Sequence, residues 1–297
     1  MKRIAVFFKH PNIKDYPFTK REYWNSYREL DSEIQKAGGE FYIVRDNSTY
    51  LGNGEFSKSW QFKNDDLIET GRIKVDKIYD KGEFETDGKV DVLNNEFINE
   101  VCTNKYKTYQ LFEEFCPKTF LVKNENEFLE ALKYLRDEKK VIKPIDGEEG
   151  CDVFIGDDEY LKNCKYKFPM LVQEFLDTSD GIPGIYKGIH DLRLVFINGE
   201  IIYSFYRTPP AGKLLANVAQ GGKLILIPKE KIPNQVFKIS EIIKKNFQND
   251  YCFGVDIGFV KGEPKIIELN SRVGLFFSSR GVEFNIFIKK IARILMK

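Results

Sequence analysis

Gly254-Val255-Asp256-Ile257-Gly258-Phe259, followed by Lys265-Ile266-Ile267-Glu268-Leu269-Asn270, is the stretch whose reading decides the fold. Both segments alternate apolar and polar residues, so both read as half-buried strands. The link Val260-Lys261-Gly262-Glu263-Pro264 is rich in turn residues. A hairpin folded about Gly262 places Asp256 opposite Glu268, and the period of two brings Asn270 onto the face of Glu268. Carboxylates held that close repel, and one is driven toward protonation unless a cation sits between them. Two carboxylates with an amide as third partner form an all-oxygen ligand set, which suits Mg²⁺, and Mg²⁺ usually accompanies phosphates. The plainer alternative is an exposed hairpin with solvated acids.

Composition narrows the possibilities. The 297 residues can bury a large core and divide into two or three subdomains. The formal net charge is +1, so no global field attracts nucleic acid or an anionic membrane. No apolar run approaches the ~20 residues needed to span a bilayer. The segment Met1–Phe8 is too short in its apolar part for a secretory signal and reads as a first, buried strand. Five cysteines form no CxxC pair, which points to reduced thiols and a cytoplasmic setting. With His10 and His190 as the two histidines, a zinc site is not expected. No Gly-x-Ser-x-Gly elbow supports a serine nucleophile.

The chain begins as a β-α-β unit. Strand 4–8 precedes a helix expected to start at Thr19, with Glu22 completing a capping box. Tyr23, Tyr27, Leu30, Ile34 and Ala37 keep helical spacing; Gly38-Gly39 ends the helix, and 41–44 is the next strand. Residues 46–90 are polar and weakly periodic, with Lys77-Ile78-Tyr79 as their one evident strand. Helices follow at 103–116 and 125–140, and strands at 117–122, 141–144, 153–155 and 171–176. A long hairpin turns at Asn198-Gly199, the strongest short-range turn signal in the chain. A helix at about 235–247 precedes the acidic hairpin, and a C-terminal helix carries Phe284, Phe287, Ile288, Ile291 and Leu295.

Neither a GxxxxGK[ST] loop nor a GxGxxG fingerprint occurs. Other segments carry candidate chemistry. Lys143 ends an apolar strand and a glycine loop follows it; a lysine there seeks an anion, and such a loop can fold over phosphates. An edge lysine before a plain turn is the alternative. Asp191 and Arg193 share one strand face, and Arg207 lies on the return strand. They form either a surface ion pair of little worth or a fork for phosphate or carboxylate. The loop Asn217-Val218-Ala219-Gln220-Gly221-Gly222-Lys223 has glycines for close backbone approach to a ligand, or is an ordinary turn.

In order, these segments resemble the ATP-grasp superfamily, specifically its ligases of the glutathione-synthetase and ribosomal-S6-modification type. "VIKPIDGEEG" (141–150) is similar to the family's Lys-Pro-x-x-Gly strand and loop. "HDLRLVFINGEII" (190–202) resembles its Asp-x-Arg hairpin, "NVAQGGK" (217–223) its Asn-x-x-x-Gly-Gly loop, and "GVDIGFV…IIELN" (254–270) its Mg²⁺ hairpin. Four such segments in order and spacing are specific where one would be weak. The resemblance is strongest over 99–275.

The resemblance implies an α/β (α+β) fold of three parts: a Rossmann-like preATP-grasp domain at 1–98, a central lid subdomain at 99–175 and a metal-bearing C-terminal subdomain at 176–297. It implies that Lys105 and Lys143, with Gly147 of the glycine loop, contact ATP phosphates. Glu174, Phe175 and Leu176 would form the adenine hinge, and Asp177 or Asp180 would hold the ribose. Asp256, Glu268 and Asn270 would bind Mg²⁺, with Mn²⁺ as an alternative ion. Arg193, Arg207 and Asn217 would serve the reacting centre; a regular register about Asn198-Gly199 turns Arg207 away from the face of Arg193, so its participation requires a twist or bulge. Glu148 and Glu149 would lie in the closing loop.

The implied reaction joins a small-molecule carboxylate to an amine through an acyl phosphate, by positioning and charge neutralisation rather than a covalent protein nucleophile. Small-molecule kinase and non-catalytic nucleotide-binding protein are the competing readings, and a homo-oligomer is compatible with the family. The family's Asn-Ser-x-Pro-Gly here reads Asn270-Ser271-Arg272-Val273-Gly274. Arg272 is either a substrate-carboxylate ligand or a solvated loop cation.

Overall fold

The computed structural model describes residues 1–147, 152–214, 221–248, 250–275 and 282–297. Packing divides the chain into two units. The first joins Met1–Asn95 with Asn249–Cys252 and Arg272–Lys297; the second comprises Glu96–Gln248 and Phe253–Ser271. Helix α7 (Val282–Met296) thus groups with the N-terminal segment.

In the first unit, strands β1 (Arg3–Phe8), β2 (Glu40–Arg45), β8 (Lys77–Asp80) and β9 (Asp91–Leu93) pair in parallel in the order β2-β1-β8-β9. β5 (Trp60–Lys63) and β6 (Asp66–Glu69) extend the sheet antiparallel beyond β2. β3 (Tyr50–Gly52), β4 (Glu55–Phe56) and β7 (Ile73–Lys74) form a small second sheet. Ile4, Ala5, Val6 and Phe7 are fully buried, as a parallel strand covered on both faces requires.

Helix α1 (Arg21–Lys36) packs against helix α7 (Val282–Met296). Tyr27, Leu30 and Ile34 form its buried stripe, at helical spacing. Gly38 takes the left-handed conformation (φ +82°), and a Cβ on Gly39 would stand 2.6 Å from the sulfur of Met296. The expected capping box at Thr19 does not form: the helix starts at Arg21, and Lys20 at the N-cap makes no side-chain cap. Phe18 sets the chain's entry instead, packing edge-on against Phe8, Trp24, Tyr27 and Phe62. The stretch 46–90, unread but for 77–79, is a run of two- to four-residue strands.

The second unit holds two sheets. The four-stranded one has the order β10-β13-β11-β12, all antiparallel: β10 (Thr119–Val122), β11 (Lys140–Pro144), β12 (Phe154–Gly156) and β13 (Met170–Glu174). Helices α4 (Glu125–Tyr134) and α5 (Asp158–Asn163) cover it, with Phe128, Leu132 and Leu161 in its core. The five-stranded sheet has the order β16-β15-β14-β17-β18: β14 (Asp191–Ile197), β15 (Glu200–Thr208), β16 (Lys223–Ile227), β17 (Cys252–Val260) and β18 (Glu263–Asn270). Helices α2 (Glu96–Thr103), α3 (Lys105–Leu111) and α6 (Phe237–Asn246) complete the unit. The single helix expected over 103–116 is broken at Asn104, whose side chain caps α3 through the N–H groups of Tyr106 and Lys107. No helix among the described residues is long and apolar enough to cross a membrane.

Candidate active site

Two hairpins of the five-stranded sheet bring the charged candidates to one face, and each does so with one extra residue. The β14–β15 hairpin turns through Asn198 (φ +48°) and Gly199 (φ +78°), as a two-residue type I′ turn requires. A regular ladder from the Ile197–Glu200 pair would put Asp191 opposite Tyr206. Asp191 instead faces Arg207, because Ile202 bulges out of the ladder between the Phe196–Ile201 and Val195–Tyr203 pairs. The bulge turns Arg207 onto the face of Arg193, which meets the condition that the alternation had set.

The β17–β18 hairpin repeats the device. Lys261 (φ +51°) and Gly262 (φ +82°) make the turn, and Val260 pairs with Glu263. A regular ladder from there would set Asp256 against Ile267. Ile267 is the bulged residue, and Asp256 faces Glu268. The expected opposition is present, reached by a tighter turn plus a bulge. Asn270, two residues beyond Glu268, pairs with Gly254 and shares the face of Glu268.

The arginines converge on Asp256. Its two carboxylate oxygens accept from Arg193 Nε and Nη2, and Arg207 Nη2 adds a bond of 2.8 Å. Arg207 Nη2 also donates to Asp191. Glu268 Oε1 lies 3.8 Å from Arg193 Nη2, an ion pair without a hydrogen bond. Gly254 lies against this guanidinium: a Cβ there would meet Arg193 Cδ at 3.4 Å, already in contact, so that a larger side chain would crowd it. Replacing Gly254 with valine should push the guanidinium off Asp256 and lower nucleotide turnover by roughly tenfold, the scale of a positioning error near reacting groups. Steady-state rates, with circular dichroism as a fold control, would check it.

Lys143 is buried on β11, an interior strand of the four-stranded sheet, so it is not an edge lysine. No carboxylate among the described residues pairs directly with it. Lys105 stands at the first turn of α3; its ammonium donates to the carbonyl of Gly147 at 2.7 Å, and its N–H donates to Ile145 O. Lys105, Lys143 and Gly147 are thereby brought together at the end of β11. Glu174 closes β13, where its side chain accepts from Lys118 N–H and its own N–H donates to Lys118 O. Phe175 and Leu176 follow, and Asp177 accepts from Ser179 N–H in a local turn. Asn217, Glu148 and Glu149 lie outside the described residues.

Residues 102–294 match the family model of the RimK-like ATP-grasp domain. The chain belongs to that family. Among its relatives is a glutathione synthetase of Synechococcus elongatus, 25% identical over 179 residues, which are 57% of this chain and 51% of the relative. The chain spans about half the length of the curated relatives it matches. Among solved structures, the RimK domain ATP-grasp protein of Sphaerobacter thermophilus superposes with a TM-score of 0.61 at 14% identity, covering 99% of this chain and 100% of that one. The ATP-grasp ligase PsnB, solved with a minimal precursor, Mg and ADP, gives 0.60 at 12% identity over 99% and 96%. The chain has the ATP-grasp fold, and its relatives are ligases.

In this ATP-grasp chain guanidinium groups stand beside the paired carboxylates. Burial would raise the carboxyl of Asp256, but Arg193 and Arg207 outweigh it and hold that group below the usual range. Glu268 is raised, by burial and then by the neighbouring Asp256 charge. Asp191 is pushed up to about 7 by burial and by Asp256. Burial lowers Lys143 to about 8, with Glu268 opposing the shift and Lys105 adding to it. Of the two readings of Asp191 and Arg193, a surface ion pair or a fork, the first does not describe Asp191, which is half-buried and accepts from Arg207.

Among the described residues, no three His, Cys, Asp or Glu side chains group to hold a metal. The donor set that fits is two opposed carboxylates and the amide of Asn270, all oxygen donors suited to a hard cation. His190 is not poised as a general base: Phe259 N–H donates to its Nε2, which leaves the Nδ1 proton for Gly188 O. Burial holds the thiols of Cys116 and Cys252 at about 12, so neither is a thiolate nucleophile at neutral pH. Arg272, in the first unit, pairs with Glu83 at 3.1 Å.

Proposed function

We propose that this chain is an ATP- and Mg²⁺-dependent ligase that joins a carboxylate to an amine on an amino acid, a peptide or another small acid. The observation that carries this reading is the single sheet face on which Asp256 opposes Glu268 while Arg193 and Arg207 converge on Asp256. Bound ATP supplies the phosphoryl group that activates the carboxylate as an acyl phosphate, and Mg²⁺ neutralises phosphate charge.

The chain's own residues do the rest. Lys105 and Lys143, with the backbone of Gly147, hold phosphate oxygens at the end of β11. Glu174, Phe175 and Leu176 present backbone groups to adenine, and Asp177 reaches the ribose. Asp256, Glu268 and Asn270 hold the cation. Arg193 and Arg207 offer planar forks to the negative charge that develops on transfer, where electrostatic stabilisation lowers barriers most. Asn217 would serve the same reaction by its place in the family pattern. The division of labour between residues 99–175 as a lid and the five-stranded sheet as the metal-bearing body belongs to the same proposal.

The test is ADP release by the purified protein with ATP and Mg²⁺ across single amino acids, pairs and dipeptides. A ligase releases ADP only when a carboxylate and an amine are both present, one ADP per bond formed. Release with a hydroxyl compound and no amine would make the protein a kinase. Binding of ATP without release under any pairing would leave a nucleotide-binding module.

A further inference from the structure

Asp256 is the most heavily used group on the five-stranded sheet. Its Oδ1 accepts from Arg193 Nε, and its Oδ2 accepts from both Arg193 Nη2 and Arg207 Nη2. A cation bound through this carboxylate must compete for the same lone pairs. Glu268, across the hairpin, is 3.8 Å from Arg193 and outside hydrogen-bond range. Two buried atoms beside this network, Asp191 Oδ1 and Arg207 Nε, have no hydrogen-bond partner. Buried polar atoms are nearly always paired, so an unpaired acceptor and an unpaired donor in one cluster leave capacity there for a further partner.

We infer that Arg193 and Arg207 act as a removable lock on Asp256, so that a divalent cation enters between Asp256 and Glu268 only when an anion draws the guanidinium groups away. The inference rests on the ligand assignment proposed above. The physical reasons are two. A planar guanidinium grips a carboxylate through two parallel bonds, a fork that a lysine ammonium cannot reproduce. A dication placed beside two guanidinium groups is also repelled by them until other negative charge arrives. Polyphosphate oxygens remedy both at once, by offering the forks new acceptors and by neutralising the site. Cation and nucleotide phosphate therefore enter as a pair, and the protein without nucleotide holds a cation weakly.

Mn²⁺ binding to the nucleotide-free protein, read from the electron paramagnetic resonance of free Mn²⁺, tests the lock without any turnover. Arg193→Lys keeps the charge and loses the fork; Arg207→Lys is the second such variant, should the first unfold. Arg193→Gln loses charge and fork together. The lock predicts that either lysine variant binds Mn²⁺ on the order of tenfold more tightly than the unmodified protein. Equal affinity in the lysine variants, or tightening confined to Arg193→Gln, overturns it, since a general charge effect then suffices. Glu268→Gln with Mn²⁺ and a non-hydrolysable ATP analogue separates the two levels. Weakened Mn²⁺ binding there upholds the ligand assignment whatever the lysine variants show. Unchanged Mn²⁺ binding removes that assignment, and the lock falls with it.

Discussion

Glu268→Ala should abolish ATP turnover, by about a thousandfold or more, without lowering the melting temperature. The loss follows from removing one of two opposed carboxylates in the proposed cation site, where single electrostatic contacts are worth about 10²–10³ in rate and the cation itself depends on both acids. The stability side has a definite sign. Burial and the Asp256 charge raise the Glu268 carboxyl above its ordinary value. The folded chain therefore binds that proton more tightly than the unfolded chain, and stability falls as pH rises from the unfolded value through the folded one. Above its unfolded value the group works against the fold, so alanine removes that cost as it removes the activity. Rates of ADP release and thermal unfolding of the same preparation measure both. Full turnover in the variant would refute the cation assignment; lost turnover with a lower melting point would recast Glu268 as structural support.

The second large effect concerns Lys143. Lys143→Met should weaken ATP binding by about 10- to 100-fold, the worth of one charge-assisted hydrogen bond to phosphate. The unmodified protein should also bind ATP less well as pH rises through about 8, the value to which burial lowers this ammonium. The stability trend is opposite. Between about 8 and 10.5 the unfolded chain keeps a proton that the folded chain has lost, so raising pH across that window stabilises the fold. Nucleotide affinity and melting temperature should diverge over the same interval, and the methionine variant should show neither slope. Nucleotide titration at pH 7, 8 and 9 would decide; equal affinity in variant and parent would return Lys143 to a purely structural role.

Much of the candidate site was legible because its residues sit on strands with clear periodicity. Asp256, Glu268 and Asn270 follow from alternation and a glycine turn, and the parity of the Asn198-Gly199 hairpin already required a distortion before Arg207 could join Arg193. What alternation cannot do is locate the distortion. Ile202 and Ile267 look like their neighbours, and whether a strand bulges depends on how its side chains seat against adjacent strands. Residues 46–90 stayed dark because strands of two to four residues complete no period. Arg45 escaped notice for a different reason. It is fully buried at the end of an apolar strand and donates to the carbonyls of His10, Asp15 and Tyr16, all 29–35 residues away in sequence. Burial lowers it to about 10. No local pattern announces a cation whose partners are distant backbone atoms.

The discontinuity of the first unit has a consequence for how the chain comes to be folded. Met1–Asn95 are made before the second unit, yet Arg272–Lys297, which supply α7 against α1, are made only after it. At roughly 5–20 residues per second, synthesis of residues 96–271 keeps that apolar helix face waiting for about 10–35 seconds. Throughout that interval Leu30 and Ile34 lie on a layer that lacks its final helix, and nascent-chain binding proteins have their best opportunity there. Sequence changes in α7 should therefore be felt as failures of the sheet built by β1, β2, β8 and β9 to mature, far in sequence from the altered residue.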